Sequence, residues 1–195
     1  MEFRKLLWAF RAVAYKPFFG KIGGKSYIGK PVSLIGTKNI YVGNRVRIYP
    51  GVRMEAHKGG KIVINENCSI AQNFHITAEQ EELIIEKNTT ILGNVFITNI
   101  DHDYRDIKKH IMDQDWKVST TRIGEGSFIG FGAAIQAGTV LGKHCIVGTN
   151  AVVRGYFPDY CVIVGVPGRV EKKYNPVSGE WERTPGVQGE TVKHD

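Results

Sequence analysis

The sequence predicts an all-β solenoid: a parallel β-helix of six-residue repeats, with one helix at its N-terminus and one long protruding loop. Three observations carry this. There are 21 Ile and 19 Val against 6 Leu, and branched side chains suit a pleated surface while losing rotamer freedom in helices. Glycine accounts for 23 of 195 residues, above the ordinary ~7%. The third is an internal six-residue period. From residue 123 the chain reads IGEGSF, IGFGAA, IQAGTV, LGKHCI, VGTNAV, and a fixed period is the mark of a solenoid.

The same frame holds earlier, as VGNRVR and IYPGVR before Met54, INENCS and IAQNFH before Ile76, then IEKNTT, ILGNVF and ITNIDH. Together these make fourteen hexads, each opened by Val, Ile, Leu or Met. The fourth place is Gly or Asn in nine of them: Gly51, Asn67, Asn73, Asn88, Asn94, Gly126, Gly132, Gly138 and Asn150. These types tolerate positive φ best, so a corner is expected every six residues. Three hexads then close a triangular coil whose opening aliphatics stack inside as ladders. Coils beginning at Val42, Ile64, Ile85, Ile123 and Leu141 are spaced by 22, 21, 38 and 18 residues. The first two spacings imply small corner loops. The third implies an insertion of about 20 residues, long enough to suggest function.

Taken in order, residues 1–20 pattern as an amphipathic helix with Leu6, Leu7, Phe10, Val13 and Ala14 as its apolar stripe, expected to cap the open coil end against edge pairing. Residues 21–174 form the β-helix, with the loop at 103–122, and residues 175–195 read as a loosely held polar tail rich in Pro, Gly and charge. The formal charge is +7, but residues 1–30 hold seven cations against Glu2 alone. The excess thus lies in one terminal segment, not in a groove across the domain. This argues against a nucleic-acid partner and leaves plain solvation, an anionic membrane surface or an anionic acceptor. No apolar run nears the roughly 20 residues of a membrane span. Cys68, Cys145 and Cys161 make no metal-binding spacing and fit packing positions. The absence of a signal-peptide pattern suits the cytoplasm, with contact at the inner membrane face as a variant.

A solenoid by itself implies no activity, so chemistry belongs where the repeat breaks. The break runs DHDYRDIKKHIMDQDWKVSTTR from Asp101 to Arg122, with His102 at its base, at the end of the ITNIDH hexad. Coils, a His before a protruding loop, further hexads and the closing string VGVPGRV follow in that order. This arrangement resembles the hexapeptide-repeat, left-handed β-helix acyltransferases. Within them it is similar to the O-acetyltransferases of the colanic-acid and maltose or galactoside types. DHDY looks like their histidine motif and VGVPGRV like their closing motif, and the likeness covers about residues 28–174.

The resemblance implies an acetyl-CoA co-substrate with no metal, a saccharide or sugar-nucleotide acceptor in polysaccharide biosynthesis, and a homotrimer with sites between subunits. His102 would be the general base, since neutral imidazole, with an ordinary pKa of about 6.5, suits deprotonation near neutrality. A backbone N–H or a bound water would stabilise the oxyanion. Matched positions place Gly130, Phe131, Gly148 and Thr149 near the pantetheine arm, with Arg154, Arg169 and Lys172 for the phosphates. Asp101 and Asp103 are candidates to orient the imidazole; with Tyr104 and His75 they form the substrate side. Ala71 stands where maltose-type enzymes carry Asn, which argues against a maltose-like acceptor.

Other readings share some of these residues. N-acetylation of a nucleotide-linked amino sugar and O-acetylation of an antibiotic differ only in acceptor. A zinc carbonic anhydrase on the same coil needs three His, for which His57, His75 and His102 lack a closely spaced pair. A non-enzymatic solenoid leaves the loop and His102 without a role. His57 and His144 fall at expected corners. Trp116 and Tyr104 are open between sugar stacking and anchoring of the loop against a neighbouring subunit.

Overall fold

A computed structural model describes residues 3–188. The chain winds as a left-handed parallel β-helix with three walls. The first wall stacks seven strands, from Lys21–Ile22 to Tyr156–Phe157; the second stacks seven parallel strands, from Tyr27–Ile28 to Cys161–Val164; the third stacks six, from Ser33–Ile35 to Val152–Val153. The predicted coil starts are register partners in one unbroken ladder: Val42 on Ile64, Ile64 on Ile85, Ile85 on Ile123 and Ile123 on Leu141. Ile22 and Phe157 extend that ladder by one rung at each end. All its members are buried, and each shields an aliphatic or aromatic side chain from water at roughly 1.5–3 kcal/mol.

All nine predicted corner residues have positive φ, from 55° at Asn150 to 85° at Gly51. Gly and Asn also alternate there for a steric reason. A Cβ on Gly51 would lie 2.1 Å from Asn73 Oδ1, and one on Gly132 would lie 2.1 Å from Asn150 Oδ1. The asparagines stack in turn, Asn67 Nδ2 donating to Asn88 Oδ1 at 2.8 Å and Asn73 Nδ2 to Asn94 Oδ1 at 3.0 Å. His144 occupies its corner as expected, with φ 52°.

The extra residues in the two early coils do more than widen corners. They lengthen the third-wall strands Arg53–His57 and His75–Glu79 to five residues each, paired from Arg53 on His75 to His57 on Glu79. His57 therefore ends a strand, and the corner falls on Lys58 and Gly59. Alternation turns Met54 and Ala56 inward while Arg53 and His57 face out.

The insertion is a β-hairpin, Ile100–His102 pairing antiparallel with Trp116–Val118. The chain leaves the coil at buried Asn99, whose side-chain amide imitates a peptide: Oδ1 accepts from Glu79 N at 3.0 Å and Nδ2 donates to Glu79 O at 3.1 Å. It returns at buried Thr121, whose hydroxyl donates to Thr98 O and accepts from Gly138 N, both at 3.1 Å.

Both ends differ from expectation. The helix α1 (Phe3–Tyr15) does cover the coil end, but through the opposite face. Trp8 packs 5.7 Å from Tyr27 and 5.5 Å from Tyr49, Ala12 is buried, and Arg11 donates to Ile28 O. The predicted stripe, Leu6 to Ala14, is exposed; the aromatic surface of the second wall is the better partner for Trp8. Residues 175–188, read as a loose tail, extend the second wall as Glu180–Gln188 pairs with Arg169–Asn175. Trp181 packs edge-on 5.7 Å from Tyr174, and Asn175 Oδ1 receives Val177 N in the turn. Pro176 and Gly179 thus mark a turn, not disorder. Residues 189–195 of that tail lie outside the described residues.

Candidate active site

His102 ends the first strand of the hairpin, directly across from Trp116. Its ring meets Trp116 edge-on at 5.6 Å, and its imidazole is otherwise exposed. Trp116 makes the same contact, also 5.6 Å, with His57 on its other side, and Lys58 Nζ lies 5.2 Å from the indole. The loop tryptophan thus ties the hairpin to its own third wall. Together these groups enclose an open cleft of about 410 Å³, floored by Arg53, Glu55, His57, His75 and Thr77.

The floor is an ordered polar network. Glu55, 4% exposed, accepts from Arg53 Nε at 2.7 Å, Arg53 Nη2 at 3.0 Å and Ser33 Oγ at 2.7 Å, with His57 Nε2 3.5 Å away. The Arg53 hydrogen bonds hold its carboxyl down at about 2, against the cost of burial. His75 Nε2 lies 3.0 Å from Thr77 Oγ1, and burial, with the Arg53 charge, keeps that imidazole below its ordinary pKa. Glu79 is buried beside Lys58 Nζ at 3.2 Å.

The two neighbouring aspartates are engaged elsewhere. Asp101 Oδ2 pairs with Arg154 Nη2 at 2.6 Å. Asp103 pairs with Arg105 and Lys117, and the Arg105 hydrogen bonds hold its carboxyl far below the usual range. Neither makes a hydrogen bond to His102 among the described residues. Tyr104 is 72% exposed, with Lys117 Nζ 5.9 Å from its ring. His75 and His102 line one cleft. Among the described residues no group of three His, Cys, Asp or Glu side chains is placed to hold a metal ion.

Gly130, Phe131, Gly148 and Thr149 occupy stacked corners between the second and third walls. A Cβ on Gly130 would lie 2.7 Å from Gly148 C and Thr149 N, so this close backbone approach requires glycine. The closing string folds back on the preceding turn, Gly168 N donating to Val152 O at 2.7 Å, and carries Arg169 and Lys172 onto the following strand. Arg154, just after Val152–Val153, spans from these rungs to Asp101 at the hairpin. Arg53, Glu55 and His57 are the site residues that the hexad count passed over; their alternation with Met54 and Ala56 is the pattern that marks them.

The fold is a parallel three-walled coil from which one histidine-bearing hairpin departs. The family described as "Bacterial transferase hexapeptide (six repeats)" matches residues 120–155. The chain is 33% identical over 142 residues to WbbJ of Escherichia coli K12, which is named for lipopolysaccharide-biosynthesis O-acetyl transfer; the match covers 68% of this chain and 71% of that one. It is 30% identical over 122 residues to the galactoside O-acetyltransferase of Lactococcus lactis, covering 62% and 57%. The N-acyltransferase AntD of Bacillus cereus, solved with dTDP and coenzyme A, shares the fold at TM-score 0.72 and 20% identity, over 85% of this chain and 90% of that one. The chain belongs to the hexapeptide-repeat acetyltransferases and is an enzyme of the acyltransferase class.

Proposed function

We propose that the protein moves an acetyl group from acetyl-CoA to a saccharide hydroxyl, with His102 as general base. The carrying observation is the placement of His102: an exposed imidazole, steadied by Trp116, over a cleft lined with polar groups. His102 takes the hydroxyl proton while that oxygen bonds to the acetyl carbon. The carbon–sulfur bond breaks, and the proton passes to the departing thiolate. Arg53, His57, His75 and Thr77 offer the donors and acceptors that a sugar requires. Gly130, Phe131, Gly148 and Thr149 leave backbone open for an extended pantetheine arm, and Arg154, Arg169 and Lys172 supply charge for phosphates.

The names of WbbJ and of the galactoside enzyme support a sugar hydroxyl, and a place in surface-polysaccharide synthesis accords with the former. The shared site of a homotrimer would bring one subunit's cleft to the next subunit's glycine corners; sedimentation at the mass of a monomer would remove it. The acceptor test is thiol release from acetyl-CoA with a panel of sugars, nucleotide sugars and a dTDP-linked amino sugar, followed by mass analysis of the product. Ester formation on a sugar is expected. An amide product would move the enzyme to N-acetylation, and failure to bind acetyl-CoA would end the proposal.

A further inference from the structure

The helix α1 has two apolar faces, and the coil uses one. The inner face spends Trp8 and Ala12 on the second wall. At 100° per residue the opposite side carries Leu6, Leu7, Phe10 and Val13, which are 39%, 49%, 65% and 60% exposed; Phe18, 62% exposed, follows just beyond the helix. A continuous stripe of this kind on an exposed helix marks a contact surface.

Its electrostatic setting identifies the partner. Residues 3–54 contain eleven Lys and Arg and no Asp or Glu, whereas residues 55–195 carry eighteen acids against fifteen bases. Arg4, Lys16, Lys21, Lys25 and Lys30 are exposed on the helix or on the first rung beneath it. The apolar stripe therefore lies within a field of one sign, at one end of the coil. A second copy docked on this face would bring two such fields together, which like-charge repulsion opposes. Thirteen residues are too few to cross a bilayer, but an apolar face bordered by Lys and Arg suits a helix lying at headgroup depth.

We propose that α1 docks the enzyme on an anionic lipid bilayer, with Leu6, Leu7, Phe10, Val13 and Phe18 entering the acyl boundary and the surrounding cations meeting lipid phosphates. This is independent of which hydroxyl accepts the acetyl group.

The test is cosedimentation of the full chain with vesicles of pure phosphatidylcholine and with vesicles containing one-third phosphatidylglycerol. The expected result is binding to the anionic vesicles alone, released by salt as screening lengths shorten. The double variant Phe10→Ser, Val13→Ser should lose about tenfold or more in partitioning, with circular dichroism and melting temperature unchanged because both side chains are exposed. No binding to anionic vesicles overturns the proposal, as does equal binding to neutral ones or full binding by the double variant. A lower sedimenting mass for the double variant in the absence of lipid would assign the face to contact between copies instead, and would also overturn it.

Discussion

The rungs before the hairpin and the rungs after it share one interior and differ outside. From Ile123 to Val153 the turns keep the eighteen-residue period, with two-residue strands and tight Gly, Asn or His corners. From Arg53 to Glu79 the third wall has five-residue strands, and Arg53, Glu55, His57, His75 and Thr77 form the floor of the cleft. The interior ladder runs through both without a break. Regular repetition builds a rigid rod and a row of close backbone corners. Departure from it, by a few residues on one wall and by about 20 at the hairpin, supplies the polar side chains that line the cleft.

The comparison breaks most sharply where the ladder itself is cut. Ile135, fully buried on the third wall, should cost about 2–5 kcal/mol when changed to Ala. Thermal melting would show that loss with CoA-site geometry otherwise intact below the transition. Trp116→Ala leaves the ladder alone and removes the side chain between His57 and His102. We expect up to about a hundredfold fall in turnover from misplacement of the base, with little change in melting temperature. Equal damage to stability would make Trp116 a packing residue.

Glu55 gives a pH-dependent test. Its folded carboxyl titrates near 2, below the unfolded value of about 4.3. Its stabilisation is therefore complete above the unfolded pKa and lost as pH falls toward 2. Glu55→Gln should flatten the decline in stability across that acid range; an unchanged slope would deny the Arg53–Glu55 network its role. The smallest effect on stability belongs to Arg154→Ala, since an exposed ion pair contributes roughly 0–1 kcal/mol. Kinetically it should raise the KM for acetyl-CoA and also lower kcat, because Arg154 holds Asp101 beside the base. Arg169→Ala, with no such link to the hairpin, should raise KM alone.

The interior was legible because one rule governs it. An aliphatic every six residues and a positive-φ residue type at the fourth place located the ladder partners and all nine corners. His102 was legible because it stands where that rule stops. Arg53, Glu55 and His57 are not legible in it, since a two-residue alternation continues past the hexad frame where the repeat predicts a corner. The N-terminal helix was visible as a helix, but its pattern contains two apolar faces; which one packs depends on Tyr27 and Tyr49, distant in sequence and adjacent in space. At the other end, Pro and Gly look alike in a turn and in a disordered tail, and the strand pairing with the edge-on packing of Trp181 against Tyr174 separates them.

The most direct test of the central claim compares wild type with His102→Ala, measuring acetyl-CoA binding by calorimetry and acceptor-dependent thiol release in parallel. The expected outcome is unchanged binding and a turnover lower by about 10²–10⁴-fold, the contribution of a positioned base. Near-normal turnover in the variant would contradict the account and take the chemistry away from the break in the repeat.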